Sequence, residues 1–438
     1  MTLPKVLIFG QPFNKRTGGG ITLSNLFAGW DKDKIAVSST GHEIRDLDLS
    51  ICDTYYQLGE KEYKWLFPFN YLQRNFSSGL LNFTDKFSNN KPTPQGSSLR
   101  RKVITSFFYP VLKYIGCFHF ISKIKFSEEL RQWLKTFNPD ILYVQVTQRE
   151  GILFARELHS YLKRPMLIHI MDDWPSTISD RGLFKKYWHK KIDSEFRTLL
   201  DKASVLLSIS EDMAEEYKAR YGKNFITFHN PIDKQFWKKC QRTNYDLNRF
   251  PVVLYAGRIG IGIERSLEKV AKAIEKINND LQISLKFILQ TMDKPVWLNK
   301  YNCVEHRSFV PYQDLPKEFS RADFLIMPYD FSDEAIRYIR YSMPTKLPEY
   351  MISGTPVIIF APEETTIVKY SRRNKCAEVI TKNNYTDLAE GIKSLIEDKE
   401  RRQEIAQNAI KIAEENHDSL VIREEFKKII CSLYNETK

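Results

Sequence analysis

Cysteine is scarce and unpatterned in this chain of 438 residues: there are 6, at Cys52, Cys117, Cys240, Cys303, Cys376 and Cys431. None sits in a C-x-x-C or Cys/His spacing, which argues against a zinc module or a disulfide framework and points to reduced thiols in a cytosolic protein. No complete G-x-G-x-x-G or Walker pattern occurs, so the usual dinucleotide and P-loop fingerprints are missing. Long apolar runs are missing too. The most membrane-like stretch, SFFYPVLKYIGCFHFISKI, is interrupted by Pro110, Lys113 and His119 well short of the ~20 clean apolar residues a spanning helix needs. The first residues, MTLPKVLIFG, run straight into a strand-like pattern with no small-residue cleavage site, so a cleavable leader is not expected. Acidic residues are in deficit, 54 against 66 Lys and Arg, for a formal charge of +12.

Against these absences stand 42% hydrophobic, 27% charged and 13% aromatic residues, the profile of a soluble globular protein rather than a disordered one. The length exceeds one ordinary core and suits two domains of roughly 200 residues each. The charge is unevenly placed. Residues 61–135 hold thirteen Lys or Arg and four acids, a net +9, interleaved with Trp65, Phe67, Phe69, Phe107, Phe108, Tyr109, Phe118, Phe120 and Phe126. Basic and aromatic together suit an anionic membrane surface, where aromatics enter the headgroup region and lysines meet lipid phosphates. A core helix with a solvated basic face explains the pattern equally well. No nucleic-acid-binding motif accompanies the charge, so nucleic acid is not an expected partner.

Strand-like and helix-like segments alternate along the chain. KVLIFG reads as a strand, QPFNKRTGGG as a loop and ITLSNLFAGW as a helix, with Gly18, Gly19 and Gly20 placed to let backbone approach a ligand ahead of a helix start. A plain flexible turn fits those glycines at least as well. Residues 84–99 are Pro-, Ser- and Asn-rich and read as a mobile loop. NPDILYVQV, PMLIHIM, SVLLSIS and FITFHN read as strands separated by helical segments, with DDWPST a loop at one strand's end. These describe a parallel doubly wound domain, 1–233. Residues 234–249 are polar and irregular, as in a linker. A second such domain, 250–417, restarts with PVVLYAGR, and a helix over 418–438 is placed to cross back onto the first domain.

In open parallel sheets ligands bind beyond the C-terminal strand ends. Arg258 ends the strand VVLYAGR, and Arg265 follows a glycine-interrupted loop, so two guanidiniums lie beside flexible backbone that suits a diphosphate. An exposed surface arginine is the plainer account of Arg258 alone. Further on, YSMPTKLPEYMISGTPVIIF combines a cationic loop, a helix start near Thr345 and a buried strand. The free N–H groups at Thr345 and Lys346 and the lysine charge suit a phosphate, while Glu349 one turn on can accept two hydroxyl hydrogen bonds from a ribose. In HIMDDWP, His169 reads as a core residue. Asp172, Asp173 and Trp174 at the strand's mouth could hold a hydroxyl-bearing acceptor, or Asp173 could serve as a cap and structural salt bridge. No third ligand accompanies the two aspartates, so a metal is not expected.

Four motifs in order, SISEDMAEEYKARYG with FHNPID, YAGRIG, and PTKLPEYMISGTPV, resemble the signature regions of retaining GT-B glycosyltransferases of the GT4-like type, over roughly residues 140–362. The resemblance implies two Rossmann-like domains facing a cleft. It also implies a nucleotide-sugar donor held by the second domain, a saccharide or lipid-linked saccharide acceptor held by the first, and no metal cofactor. Carried over, Glu349 binds the donor ribose, the backbone around Thr345 and Lys346 faces the diphosphate, Arg258 neutralises the leaving group, and Gly19 and Gly20 lie near the donor phosphates. Tyr341 stands where the family has the first glutamate of its pair. Ile263 replaces a frequent lysine, with Arg265 as the substitute, and Met171 replaces a frequent histidine, leaving Asp173 as the acceptor-side group. The expectation is a transferase in cell-envelope polysaccharide or glycolipid synthesis, with Asp173, Arg258 and Lys346 catalytic, acting in the cytoplasm and peripherally on the membrane. A sugar-nucleotide epimerase or phosphorylase with the same cleft, or a non-catalytic nucleotide-sugar-binding partner, are the alternatives.

Overall fold

The computed structural model describes residues 3–15, 17–83, 106, 108–116, 118–178, 182–260 and 262–436. The polar loop expected over 84–99, with the neighbouring residues to 105, lies outside the described residues. Two compact units form: Met1–Phe228 with Arg423–Lys438, and His229–Ile422. The division falls inside the helix Ser419–Asn435.

The strands of the first unit are β1 (Val6–Phe9), β2 (Ile35–Thr40), β3 (Tyr55–Leu58), β4 (Tyr63–Trp65), β5 (Gly79–Leu80), β6 (Ser122–Ile124), β7 (Ile141–Val144), β8 (Met166–Ile170), β9 (Val205–Ser208) and β10 (Ile226–Thr227). Eight of them form a sheet ordered β10-β9-β8-β7-β1-β2-β3-β5, parallel throughout except for β5, which runs antiparallel to β3. β4 and β6 make a separate antiparallel ribbon. VLIF in β1, ILYV in β7 and MLIHI in β8 are buried at every position. Continuous apolar runs of this kind are what a parallel sheet covered on both faces requires.

Its helices follow local chemistry closely. Ser127 caps Glu128–Phe137 by accepting from Leu130 N–H, two acids occupy the first turn, and the helix ends on left-handed Asn138. Ser210 caps Glu211–Tyr221, which stops at Gly222 with φ +69°. Near the C-terminus, Phe426 packs on Phe27 with ring centroids 5.1 Å apart and also on Tyr143 and Phe228. Arg423 Nε donates to the Asn25 carbonyl at 2.6 Å. Residues 423–436 thus share the first unit's core.

The second unit is built on β11 (Val252–Ala256), β12 (Lys286–Gln290), β13 (Val304–Arg307), β14 (Phe324–Pro328), β15 (Val357–Phe360) and β16 (Glu378–Ile380), ordered β13-β12-β11-β14-β15-β16 and wholly parallel. Its core gathers Val253, Phe287, Phe324, Ile326, Ile358 and Phe360 from the sheet with Leu267, Val270 and Ile274 from the helix Glu264–Leu281. Each such side chain contributes roughly 1.5–3 kcal/mol by leaving water.

Three local expectations change. The glycines Gly18 to Gly20 are not a loop before the helix but its first turn, in Gly18–Phe27, capped by the Thr17 hydroxyl on Gly20 N–H at 3.1 Å. DDWPST is not all loop, because Trp174–Thr177 forms one helical turn with Pro175 at its start, where a missing N–H costs nothing. The stretch 234–249 contains the helix Lys234–Lys238, which Asp233 caps through Gln235 and Phe236 N–H. It belongs to the second unit, where Arg242 pairs with fully buried Asp323 at 3.1 Å and Asn248 also binds that carboxylate. A polar sequence looks like a linker until its partners are known.

Candidate functional site

In the second unit, β11 delivers Arg258 to the sheet's C-terminal edge. The backbone there is pinned from several sides. The Tyr255 hydroxyl donates to the Arg258 carbonyl at 2.7 Å. Asp330, just beyond β14, accepts Ser266 N–H at 2.8 Å, and its own N–H donates to the Gly262 carbonyl at 2.7 Å. Gly262 has φ +88°, a turn that favours glycine. The loop is held while the Arg258 and Arg265 side chains stay exposed, and among the described residues neither makes an ion pair or hydrogen bond through its guanidinium. A cation kept without a counter-charge on an ordered loop is ready for an anionic ligand.

The helix Lys346–Ile352 starts at Thr345, where the sequence places it, and Thr345 makes no side-chain capping bond. Glu349 is buried, at 4% exposure, and its Oε2 lies 3.0 Å from Lys346 Nζ. Lys346 is half-buried and rests over the Phe319 ring, 5.5 Å from its centroid, so it is not the solvated lysine of the plainer account. Lys346 therefore offsets the cost of keeping the Glu349 carboxylate in the interior. The next residue, fully buried Tyr350, accepts Ala256 N–H through its hydroxyl at 3.0 Å and so joins this helix to the end of β11. One hydroxyl ties the lysine–glutamate helix to the strand that carries the arginine.

Asn230 is a buried support of this site to which the sequence alone assigns no role. It lies in the FHNPID motif and donates from Nδ2 to the Met343 carbonyl at 2.9 Å, holding the loop that leads to Thr345. Its own carbonyl pairs with His417 Nδ1 at 2.9 Å. The same is true of Asp330. A carboxylate after an apolar strand and an asparagine before a proline were the available signals, but neither shows which backbone it will bind. Tyr341, at the leading edge of this loop, is half-buried.

In the first unit the motif residues are engaged in packing. Asp173 is 3% exposed; its Oδ1 accepts from Tyr217 Oη at 2.9 Å, and both its oxygens accept from Arg220, at 2.8 and 3.2 Å. Burial opposes the Arg220 charge, but the bonds to Asp173 outweigh it and raise its pKa; burial, then Asp173, raises that of Tyr217. Both oxygens being taken, Asp173 is a structural anchor here rather than an open acceptor group, and the salt-bridge account of it fits the geometry. Trp174 is also buried, edge-on to Phe196 at 5.1 Å, instead of facing a ligand. Asp172 and Met171 are half-buried, and Gln145 Nε2 reaches Met171 Sδ at 3.6 Å. His169 is a core residue, as expected: its Nδ1 pairs with Tyr143 Oη at 2.6 Å and burial lowers its pKa to about 3.

Gly20 has a reason within the protein. A Cβ there would come within 2.3 Å of the buried Asn14 amide, whose Oδ1 accepts from Thr17 N–H at 2.8 Å. Gly19 is half-buried, and a Cβ on it would meet only the movable end of Gln11 at 2.8 Å. Among the described residues no group of three or more His, Cys, Asp or Glu could hold a metal ion, and no helix is long and apolar enough to cross a membrane.

Residues 244–412, which include Arg258, Arg265, Thr345, Lys346 and Glu349, match the family described as glycosyl transferases group 1. The chain carries a glycosyl transferases group 1 domain, and it is a glycosyltransferase enzyme. No curated protein sequence matches it significantly. Among solved structures it resembles HepE from Anabaena in complex with UDP and glucose, at 14% identity and TM-score 0.60, over 98% of this chain and 100% of that one. It also resembles sucrose-phosphate synthase from Thermosynechococcus elongatus, at 10% identity and TM-score 0.61, over 98% and 99%. A third likeness is to WaaG, a glycosyltransferase involved in lipopolysaccharide biosynthesis, at 12% identity and TM-score 0.59, over 97% and 99%. At such identities the likeness concerns fold, and the fold of this glycosyltransferase is the expected α/β GT-B fold.

Proposed function

We propose that this glycosyltransferase moves a sugar from a nucleotide-activated donor to an acceptor hydroxyl, with retention of configuration, in the synthesis of a cell-envelope polysaccharide or glycolipid. The observation that carries the reading is the second unit's arrangement of half-buried Lys346 and buried Glu349, paired with each other, and the exposed cations Arg258 and Arg265, all inside the family-matching segment. Glu349 accepts the two ribose hydroxyls. Lys346, Arg258 and Arg265 share the negative charge that grows on the diphosphate as the bond to the sugar carbon breaks. The acceptor oxygen forms the new bond on the face the diphosphate leaves, and its proton passes to a departing phosphate oxygen. In this reading the side-chain cations stabilise the leaving group and no metal is needed.

On the acceptor side, Asp173 acts through position: by binding Arg220 and Tyr217 it fixes the strand end that presents Met171 and Asp172. The basic aromatic stretch from Trp65 to Lys125 suits work on a lipid-linked acceptor at the cytoplasmic face of an anionic membrane. Exposed Phe67 and Tyr71 support that, whereas Trp65 packs against Tyr109 and Phe118.

The test is calorimetry with a panel of nucleotides and nucleotide sugars, starting with UDP because HepE is seen with it. Binding of one nucleotide sugar, abolished by Glu349→Ala, is expected. Absence of binding across the panel would overturn the donor reading.

A further inference from the structure

The first unit has a second feature, away from the motif residues. Two segments some seventy residues apart in sequence make one apolar surface. Leu183 N–H donates to the Tyr114 carbonyl at 2.7 Å, and Phe120 stacks on Trp188 at 6.1 Å with the planes 20° apart. Trp188 also packs beside His119 at 5.1 Å and so close to Gly116 that a Cβ there would meet its ring at 2.5 Å. Between these segments lies an apolar-walled cavity of about 370 Å³, lined by Ile115, Phe120, Phe184, Tyr187 and Trp188. Around it Tyr114, Leu183, Phe184 and Tyr187 are 50–64% exposed. An exposed patch of this make-up is unusual on a protein that meets only water.

The helix that forms one side starts against its own dipole. Lys185–Leu200 begins with Phe184 at the cap position, makes no side-chain capping bond, has no acid in its first turn and opens on Lys185 and Lys186. Cations at a helix N-terminus oppose the helix dipole, and an aromatic cap leaves N–H groups unsatisfied. Both lysines are exposed, as is Lys190 one turn on, and among the described residues none of the three has an ion-pair partner. A stretch that costs local stability in two ways while presenting aromatics and bare cations together is explained by a ligand with an apolar body and anionic heads.

We propose that the 183–190 stretch and the Tyr114–Phe120 segment form a docking surface for an anionic membrane leaflet, in which Phe184 and Tyr187 enter the headgroup layer, Lys185, Lys186 and Lys190 meet lipid phosphates, and the cavity receives one acyl chain. Charge complementarity decides for the leaflet over an apolar protein partner, because among the described residues three exposed lysines, Lys185, Lys186 and Lys190, stand beside an apolar wall. This deepens the membrane part of the proposed function and rests on that part alone; the donor chemistry does not enter it.

The full-length protein is sedimented with phosphatidylcholine vesicles with and without phosphatidylglycerol, and with vesicles whose acyl chains are brominated to quench tryptophan. Binding that needs phosphatidylglycerol, falls at least about tenfold in Lys185→Glu/Lys186→Glu and in Phe184→Ser/Tyr187→Ser, and shows chain quenching that Trp188→Phe removes, is the expected result. Salt-sensitive binding untouched by Phe184→Ser/Tyr187→Ser would overturn this surface while leaving the Trp65–Lys125 contact standing. Absence of vesicle binding would overturn both, and intact donor turnover in the same preparation would show that the transferase reading survives. Self-association that the patch substitutions abolish would assign the surface to a second copy and overturn the leaflet.

Discussion

The two units treat their motif residues in opposite ways. In the second, Arg258 and Arg265 have no guanidinium partner among the described residues, and Lys346 and Glu349 form a pair that a ligand can rearrange. In the first, Asp173 is fully bound, Trp174 is in the core and Gly20 is shaped by Asn14. A residue in a signature is therefore not the same thing as a residue available for chemistry. What separates Asp173 from Arg258 is whether the polar atoms still lack partners among the described residues once the fold is complete.

The sharpest way to break this contrast is Asp173→Ala. It strands Arg220 and Tyr217 in a mostly buried place and is expected to cost about 3–5 kcal/mol of stability, read by urea denaturation. If turnover fell with stability intact, Asp173 would be an open acceptor group after all and the contrast would fail. Arg258→Ala should do the reverse, lowering turnover of the bound donor by about 10²–10³-fold, the scale of one lost leaving-group donor, with an unchanged melting temperature because the side chain is exposed. Equal losses in stability would show the guanidinium to be structural. Gly20→Ala tests whether the glycine serves the loop's own packing. Crowding against Asn14 should destabilise by roughly 1–3 kcal/mol, and an Asn14→Ala background should relieve part of it.

A smaller effect follows from His169. Its pKa is about 3 when folded against 6.5 for the free group, so above pH 6.5 both states are neutral and it has no influence. As pH falls below 6.5 the unfolded chain takes up the proton and the folded one does not, so stability declines progressively toward pH 3. The denaturation midpoint should drop between pH 6.5 and about pH 5, before most carboxylates titrate, and His169→Gln should flatten that slope. The smallest expected change is none: donor turnover measured with and without a chelator should agree, since the proposed leaving-group stabilisation uses side-chain cations.

Much of the fold was legible. Apolar runs such as VLIF and PVIIF announce parallel strands because a strand covered on both faces leaves no place for polar residues. Thr345 as a helix start was legible because Pro348 fits only a first turn. The Asp173 partners were not, since Tyr217 and Arg220 lie more than forty positions along the chain and nothing local marks them. Residues 234–249 misled for the same reason: Arg242 and Asn248 look solvated until Asp323, buried and distant in sequence, gathers them. The lysines that open Lys185–Leu200 are plain in the sequence, yet their meaning depends on Phe120 and Ile115 standing beside them.

By itself, then, the sequence determined the alternation of parallel strands and helices, the order of the family's motifs and the uneven placing of positive charge. These depend on periodicity and local composition, which need no neighbours. Only the tertiary structure decided which polar groups remain open, because hydrogen-bond partners are chosen across the chain. Folding ties Asp173 to Arg220 and Tyr217, joins Tyr350 to Ala256, and leaves Arg258 without a partner among the described residues.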